Sequence, residues 1–293
     1  MKNLHKTAYL LLILVFINQK TFAIQGGTPG ARFVGIGEAS QAISDPWAIY
    51  YNPAGIASLE KTSVNAFYQN RYGFSGWNTT SFAYNQPLKI LKDANVGVGA
   101  YRFGDELFSQ TRASFAFAHK IRGVSLGIQA EYFQTMIQDI GTKSNVLINF
   151  GGQVQITKDL FFGASVYNIN QARLTNYNDN NLDQRLPTIM RIGATYNPYK
   201  RLFLNAEAEK DVEKTPRYKI GVEYGIIDNL FLRTGFNVNP MVSTFGIGYK
   251  SFGFNLDYAL QWHLQLGFIH SVGLGYTFGS FIRKPEPAVP KTE

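Results

Sequence analysis

Period-two alternation of apolar and polar residues, sustained from Thr62 almost to the C-terminus, constrains this chain more than any other feature. In Arg201–Glu209, Leu202, Leu204, Ala206 and Ala208 fall on one face, and Asn205, Glu207 and Glu209 on the other. The runs Val124–Tyr132, Lys219–Tyr224 and Phe252–Tyr258 repeat the pattern. A strand patterned this way turns one face to an apolar medium and the other to polar groups. About fourteen such runs can be marked, near 62–70, 78–86, 95–104, 109–120, 122–136, 144–156, 160–169, 186–196, 201–210, 216–224, 229–237, 241–249, 252–261 and 267–278. Most approach the roughly 9–11 residues that a tilted strand needs to cross a bilayer. Helical periodicity is nearly absent. An even number of long alternating strands predicts an all-β fold, an antiparallel transmembrane β-barrel of about 14 strands over residues 61–278. A secreted sandwich or propeller is the competing fold. It would use shorter strands and carry a blade repeat, and the sequence shows no repeat.

The N-terminus predicts export. Lys2 and Lys6 precede an unbroken apolar run, Ala8–Ile17, and Thr21-Phe22-Ala23 follows with small residues at both ends. This pattern reads as a signal peptide over residues 1–23, cut after Ala23. The run is too short for a helix that spans a bilayer, which takes about 20 apolar residues. With Lys2, Lys6 and Lys20 removed, 25 basic residues face 20 acidic ones. They are scattered, so an exported chain with this balance predicts contact with membrane head groups and no nucleic acid partner. Arg71, Lys120, Lys200, Arg201 and Lys250 sit where strands end and are expected to meet those head groups. Cys is absent, which excludes disulfides, thiolate metal sites and a cysteine nucleophile.

Connections between runs alternate in length. Lys120-Ile121, Thr157–Asp159, Asn197–Lys200, Gly225–Asp228 and Lys250-Ser251 form a short set, expected at the periplasmic end. The other set contains the longest, Asn170–Arg185. Tyr68, Tyr84, Tyr101, Tyr132, Tyr167, Tyr196, Tyr224, Tyr249 and Tyr276 stand near strand ends, where aromatic girdles are expected. The last strand closes on Leu274–Phe278, and residues 279–293 read as a periplasmic tail without periodicity, expected to be disordered.

Strand parity assigns ten charges to the lumen: Arg112, Arg191, Arg217, Lys219 and Arg233 against Glu131, Glu207, Glu209, Glu223 and Asp257. The signs balance, whereas an ion-selective pore shows a ring of one sign. Such a set either pairs across the interior or stays solvated. Residues 24–60 lack the alternation and are rich in small residues, with an Asn52-Pro53-Ala54 turn. Alone they cannot form a core; inside a barrel they can form a plug.

Two elements of this segment carry a resemblance. Gly30-Ala31-Arg32-Phe33-Val34-Gly35-Ile36-Gly37-Glu38-Ala39 and Asp45–Ala57, which contains Tyr50-Tyr51-Asn52-Pro53-Ala54-Gly55, resemble the FadL/PorV-like outer-membrane superfamily. Its members are transporters of hydrophobic compounds and barrels of the type IX secretion system. The resemblance implies a fourteen-stranded barrel with an N-terminal hatch in the lumen. For transporters it also implies a side opening near the third strand, where Gly97 and Gly99 share one face. Strand glycines mark bends or close backbone approach, so these two either border an opening or make room for the hatch. The outer loops here are shorter than in fatty-acid transporters, which favours the secretion-type or an uncharacterised branch over fatty-acid uptake.

Enzyme chemistry finds no support. His119, His263 and His270 are isolated, and no nucleophile-elbow or phosphate-loop motif occurs. His270 and Ser271 are adjacent, so on a strand they face opposite ways. No cofactor is expected. The reading is therefore passive transport of small hydrophobic compounds across the outer membrane, with a partner-binding barrel of type IX secretion as the alternative. Expected partners are outer-membrane lipid, and a hydrophobic small molecule or secretion-system proteins.

Overall fold

The alternating runs become the staves of a closed wall. In the computed structural model, which describes residues 29–174 and 184–279, seven strands come first: β1 (Ser63–Arg71), β2 (Asn78–Pro87), β3 (Ala94–Gly104), β4 (Phe108–Ile121), β5 (Val124–Ile137), β6 (Gly141–Gln155) and β7 (Leu160–Tyr167). A small hairpin, β8 (Arg173–Leu174) with β9 (Gln184–Arg185), stands apart from the wall. The wall resumes with β10 (Ile189–Tyr199), β11 (Leu202–Asp211), β12 (Arg217–Ile227), β13 (Leu230–Val238), β14 (Val242–Ser251), β15 (Phe254–His263) and β16 (Gly267–Thr277). Each wall strand pairs antiparallel with its neighbours. β16 pairs back onto β1, from Ser63 opposite Thr277 to Arg71 opposite Ile269. Closure removes the sheet edges that lipid could not satisfy.

Alternation sets which side chains face lipid. In β5, Leu126, Ile128 and Tyr132 are exposed while Gln129 and Glu131 between them are buried. Phe115, Ile192, Ile220, Phe245 and Leu256 continue the apolar outer surface on other strands. Tyr68, Tyr132, Tyr196, Tyr224 and Tyr249 are exposed on it as well. Tyr101 and Tyr167 are not girdle residues. They have inward parity, Tyr101 being buried and Tyr167 donating to Glu131 Oε1 at 2.7 Å. Arg71 likewise turns away from the head groups; it is buried, with its guanidinium over the Phe103 ring. Proximity to a strand end suggested the outer role for all three, and parity overrules it.

One end of the barrel carries the tight turns. Arg122-Gly123 and Phe252-Gly253 both have positive φ at the two turn residues, 49° and 89°, then 49° and 85°. That is the twist-compatible two-residue hairpin, and glycine at its second position adopts it at little steric cost. The opposite, loop end holds the connection between β7 and β10. It also has a raised rim, because β4, β5 and β6 run for 14, 14 and 15 residues while β7 has 8. The upper part of β6 outruns β7 and pairs with the connection instead: Ile169 N donates to Ile148 O at 2.9 Å and Asn170 Nδ2 to Val146 O at 2.9 Å. The expected signal peptide, the tail beyond Gly279 and the polar stretch Asn176–Asn181 lie outside the described residues.

Candidate functional site

The lumen is divided between an occupied half and an open half. At the turn end, residues 29–59 pack against the inward faces of the strands. They form one helical turn, α1 (Ala31–Gly35), and two 3-10 turns, Pro46–Tyr50 and Pro53–Ile56. Proline at the first helical position suits each 3-10 turn, since its missing N–H needs no partner there. Asp45 caps the first, accepting from Trp47 N at 3.0 Å, and Asn52 caps the second, accepting from Ala54 N at 3.1 Å. Phe33, Val34, Ile36, Trp47, Ile49 and Ile56 form a buried cluster with wall residues Phe67, Ala83, Ala116, Ala118 and Ala259.

So irregular a segment leaves many backbone groups unpaired by its own turns, and a buried carbonyl needs a donor. The wall supplies them. Thr244 Oγ1 donates to Gly35 O at 3.0 Å, and Gln153 Nε2 to Gln41 O at 2.8 Å and Ile43 O at 3.2 Å. Asn85 Nδ2 donates to Pro46 O at 3.0 Å, Ser165 Oγ to Tyr51 O at 3.1 Å and Asn95 Nδ2 to Ala57 O at 2.9 Å. Asn52 Nδ2 bridges the segment to β6, donating to Gln41 O at 2.8 Å and Gly152 O at 3.1 Å. Close approach of this kind requires inward glycines. A Cβ on Gly127 would strike the Pro53-Ala54 backbone, one on Gly163 the Gln41 carbonyl, and one on Gly221 the Ile36 carbonyl.

Two ionic clusters bind this segment and its wall. Arg32 forks onto Glu223 at 2.7 and 2.9 Å and reaches Asp45 at 2.8 Å. Glu223 also accepts from Arg233 Nε at 2.6 Å, and Arg233 Nη1 donates to Asp257 at 2.6 Å. Burial alone would lower the Arg32 pKa; Glu223 and then Asp45 outweigh it and hold the group above its ordinary value. In the second cluster, Lys219 Nζ lies 2.9 Å from both Glu207 and Glu209. Arg191 and Arg217 meet Glu209 at 2.8 and 3.2 Å, and Glu207 accepts from the segment at Ser40 N, 2.8 Å away. Buried charges arranged this way are tolerated because each finds an opposite charge and hydrogen bonds.

Gly97 and Gly99 lie on β3 under the same segment. A Cβ at Gly97 would stand 3.1 Å from Ile49, Ile56 and Asn85, and one at Gly99 2.8 Å from the Tyr50 hydroxyl. That hydroxyl lies 2.7 Å from Phe82 O and 2.8 Å from Ala100 O, across the β2–β3 pair. The β3 ladders to β2 and β4 run without a register shift.

Toward the loop end the inward side chains change character, and a cavity of about 900 Å³ opens. Trp77, Phe103, Leu107, Phe108, Phe133, Ile137, Leu186 and Met190 line much of it. Asp211, Glu213, Lys214 and Arg173 contribute a mixed-sign rim, and Arg112 and Tyr167 also line it. Arg112 has the Tyr101 ring 4.8 Å and the Phe133 ring 5.3 Å from its guanidinium carbon. Glu131, also inward, is held by Tyr167 and by Ser114 Oγ at 3.3 Å.

Residues 47–282 match the family model of the type IX secretion system membrane protein PorP/SprF, more than half of the chain. The chain belongs to the PorP/SprF family. No curated protein matches it. Among solved structures, the PorP/SprF chain is similar to the Pseudomonas putida toluene transporter TodX, at TM-score 0.61 and 11% identity over 88% of this chain and 98% of that one. It is similar to the CymD monoaromatic hydrocarbon channel, at TM-score 0.63 and 12% identity over 87% and 99%. A Pseudomonas aeruginosa FadL homologue gives TM-score 0.59 and 14% identity over 88% and 100%. At such identities the likeness is one of fold, a closed antiparallel β-barrel.

Within this PorP/SprF barrel, sequence reasoning did not single out the polar residues that hold the segment's carbonyls. Their signal is an inward parity combined with Asn, Gln, Ser or Thr at Asn85, Asn95, Gln153, Ser165 and Thr244. Nor did it single out Arg32 and Asp45 as ionic partners of the wall. His270 faces outward to Tyr258 at 2.8 Å, while Ser271 faces inward to Gln69 at 3.0 Å. Among the described residues no three His, Asp or Glu side chains gather as a metal site.

Proposed function

We propose that this outer-membrane barrel passively transports small hydrophobic compounds, entering through the loop-end cavity. The carrying observation is that cavity: about 900 Å³, aromatic and aliphatic over much of its lining, above an occupied turn end. Apolar concave space with a few polar groups is the usual form of a small-molecule site. The barrel fold shared with the TodX toluene transporter supports the same direction. On this reading residues 24–60 act as a plug, with Asn52, Pro53 and Ala54 as its fixed turn, after a signal peptide has been removed at Ala23. A side exit at Gly97 and Gly99 then requires Tyr50 to withdraw from the β2–β3 pair. The test is lipid and hydrocarbon mass spectrometry on the purified barrel, followed by uptake into vesicles. Co-purified apolar ligand and protein-dependent uptake are expected. A folded barrel that carries none and admits none overturns the reading.

A second reading is a partner-binding barrel in type IX secretion, and the family match over residues 47–282 favours it. Affinity capture from outer membranes separates the two. Recovery of secretion-system proteins together with absent uptake selects the second.

A further inference from the structure

The lumen cations are not alike. Arg191, Arg217, Lys219 and Arg233 each hold at least one carboxylate within 3.2 Å. Arg112 forms no ion pair or hydrogen bond with another described residue, and its Nε is buried without a partner. The nearby carboxylate, Glu131, is already engaged by Tyr167 and Ser114. Arg112 is half-buried and forms part of the cavity lining. Tyr101 and Phe133 cover its guanidinium. A guanidinium covered on its faces keeps its hydrogen-bonding capacity in its own plane, along the edges. Those edges match the two oxygens of a carboxylate, and the pairing strengthens where water is scarce.

We infer that Arg112 makes the inner end of the cavity a binding site for a compact monocarboxylate with an aryl or short alkyl body. The carboxylate forks onto Arg112, and the body lies against Phe103, Phe108 and Phe133. A phosphate dianion fits less well, because a second free cation beside Arg112 is lacking among the described residues and Glu131 stands near. Hydrocarbons without a head group would occupy the same space but leave the guanidinium unpaired, at the cost that attends any buried unpartnered charge. The inference rests on the transport reading and narrows its substrate class.

Paired probes test it. Binding of 4-ethylbenzoate and of its neutral isostere 4-ethylbenzamide is measured by calorimetry on the detergent-solubilised full-length barrel. The wild type is expected to bind the carboxylate about tenfold or more tightly than the amide, as a charge-assisted hydrogen-bonded pair implies. Arg112→Gln should erase that preference while leaving amide affinity within about twofold, since the apolar contacts are unchanged. Arg112→Lys, which keeps the charge but loses the planar fork, should fall between them. Heat-modifiable gel migration reports folding of each variant. Equal wild-type affinity for the two probes overturns the inference while leaving uptake of neutral compounds standing. A preference that survives in folded Arg112→Gln overturns it by placing the anion elsewhere. Binding of neither probe by the folded wild type overturns it together with the transport reading. If Arg112→Gln does not fold, the wild-type pair and Arg112→Lys still decide.

Discussion

At the turn end of the lumen, Gly127, Gly163 and Gly221 face inward and a chain segment fills the space they leave. At the loop end, Phe103 and Phe133 occupy inward positions on β3 and β5 and the space stays open. Small or hydrogen-bonding residues let backbone approach backbone, and every buried carbonyl then needs a donor. Bulky apolar residues hold the walls apart and leave a cavity. The same alternating strands thus build a filled compartment and an open one. The boundary between them runs near Arg112, Glu131 and Tyr167. Charges segregate accordingly: carboxylates and cations close on each other below, whereas Arg112 faces the open half.

The strongest way to break this comparison is to remove the filling. Deleting residues 24–59 from a folded barrel should raise single-channel conductance in planar bilayers from a closed level to that of an open lumen. A parent barrel that already conducts strongly, unchanged by the deletion, would show that the segment does not seal it.

Next in size is the ionic seam. Glu223→Ala leaves the Arg32 and Arg233 charges without their shared carboxylate in a buried site, a loss of about 3–5 kcal/mol. Urea titration followed by heat-modifiable migration measures it. A shift no larger than that of a surface Glu→Ala control would mean the seam contributes little.

A smaller effect is expected where the wall was pared to admit the segment. Gly99→Val drives a side chain against the Tyr50 hydroxyl and should cost about 1–3 kcal/mol, the usual range for overpacking. Combined with Tyr50→Ala, much of that cost should disappear in a double-mutant cycle. Additive costs would separate Gly99 from Tyr50. In vesicle uptake, the Gly97→Val and Gly99→Val pair in a folded barrel should block passage if the route runs through this strand; normal uptake removes the side exit. Asn52→Ala gives up the cap on Ala54 and both bridging donations, about 1–2 kcal/mol by the same urea assay.

The smallest stability change belongs to the open half. Phe108→Ala on the cavity wall should shift unfolding by about 0.5 kcal/mol or less, because the side chain is 37% exposed and supports no packed core there. Its effect should appear instead as weaker binding of apolar probes in calorimetry. A large stability loss without any binding change would reverse the roles assigned to the two halves.

Much of the wall was legible in the residues themselves. Period-two alternation reports a local property, the two media on either side of a strand, and each of the fourteen marked runs has its strand in the wall. Two tight turns were read two residues early: Lys120-Ile121 and Lys250-Ser251 end their strands, and the hairpins fall at Arg122-Gly123 and Phe252-Gly253, where positive φ is needed. Tyr101 and Tyr167 were misread because nearness to a strand end was given more weight than parity, and parity decides the side. For the lumen charges, sequence left pairing and solvation open. Their neutrality is a sum, while Arg233 meeting both Glu223 and Asp257 depends on which positions lie level on adjacent strands.

What the sequence determined by itself is the architecture: strands, their inward and outward faces, tight turns at one end and a non-alternating N-terminal segment that cannot form a core alone. Only the tertiary structure decided that this segment fills the turn end, that Arg32 reaches a carboxylate 191 positions away, and that Arg112 is left facing a cavity. The physical reason is the range of the interactions. Alternation and hairpin φ angles are set by neighbours in the chain, whereas ion pairs, carbonyl donors and cavities are set by the stagger of a closed barrel, which brings residues to one height only after every strand has paired.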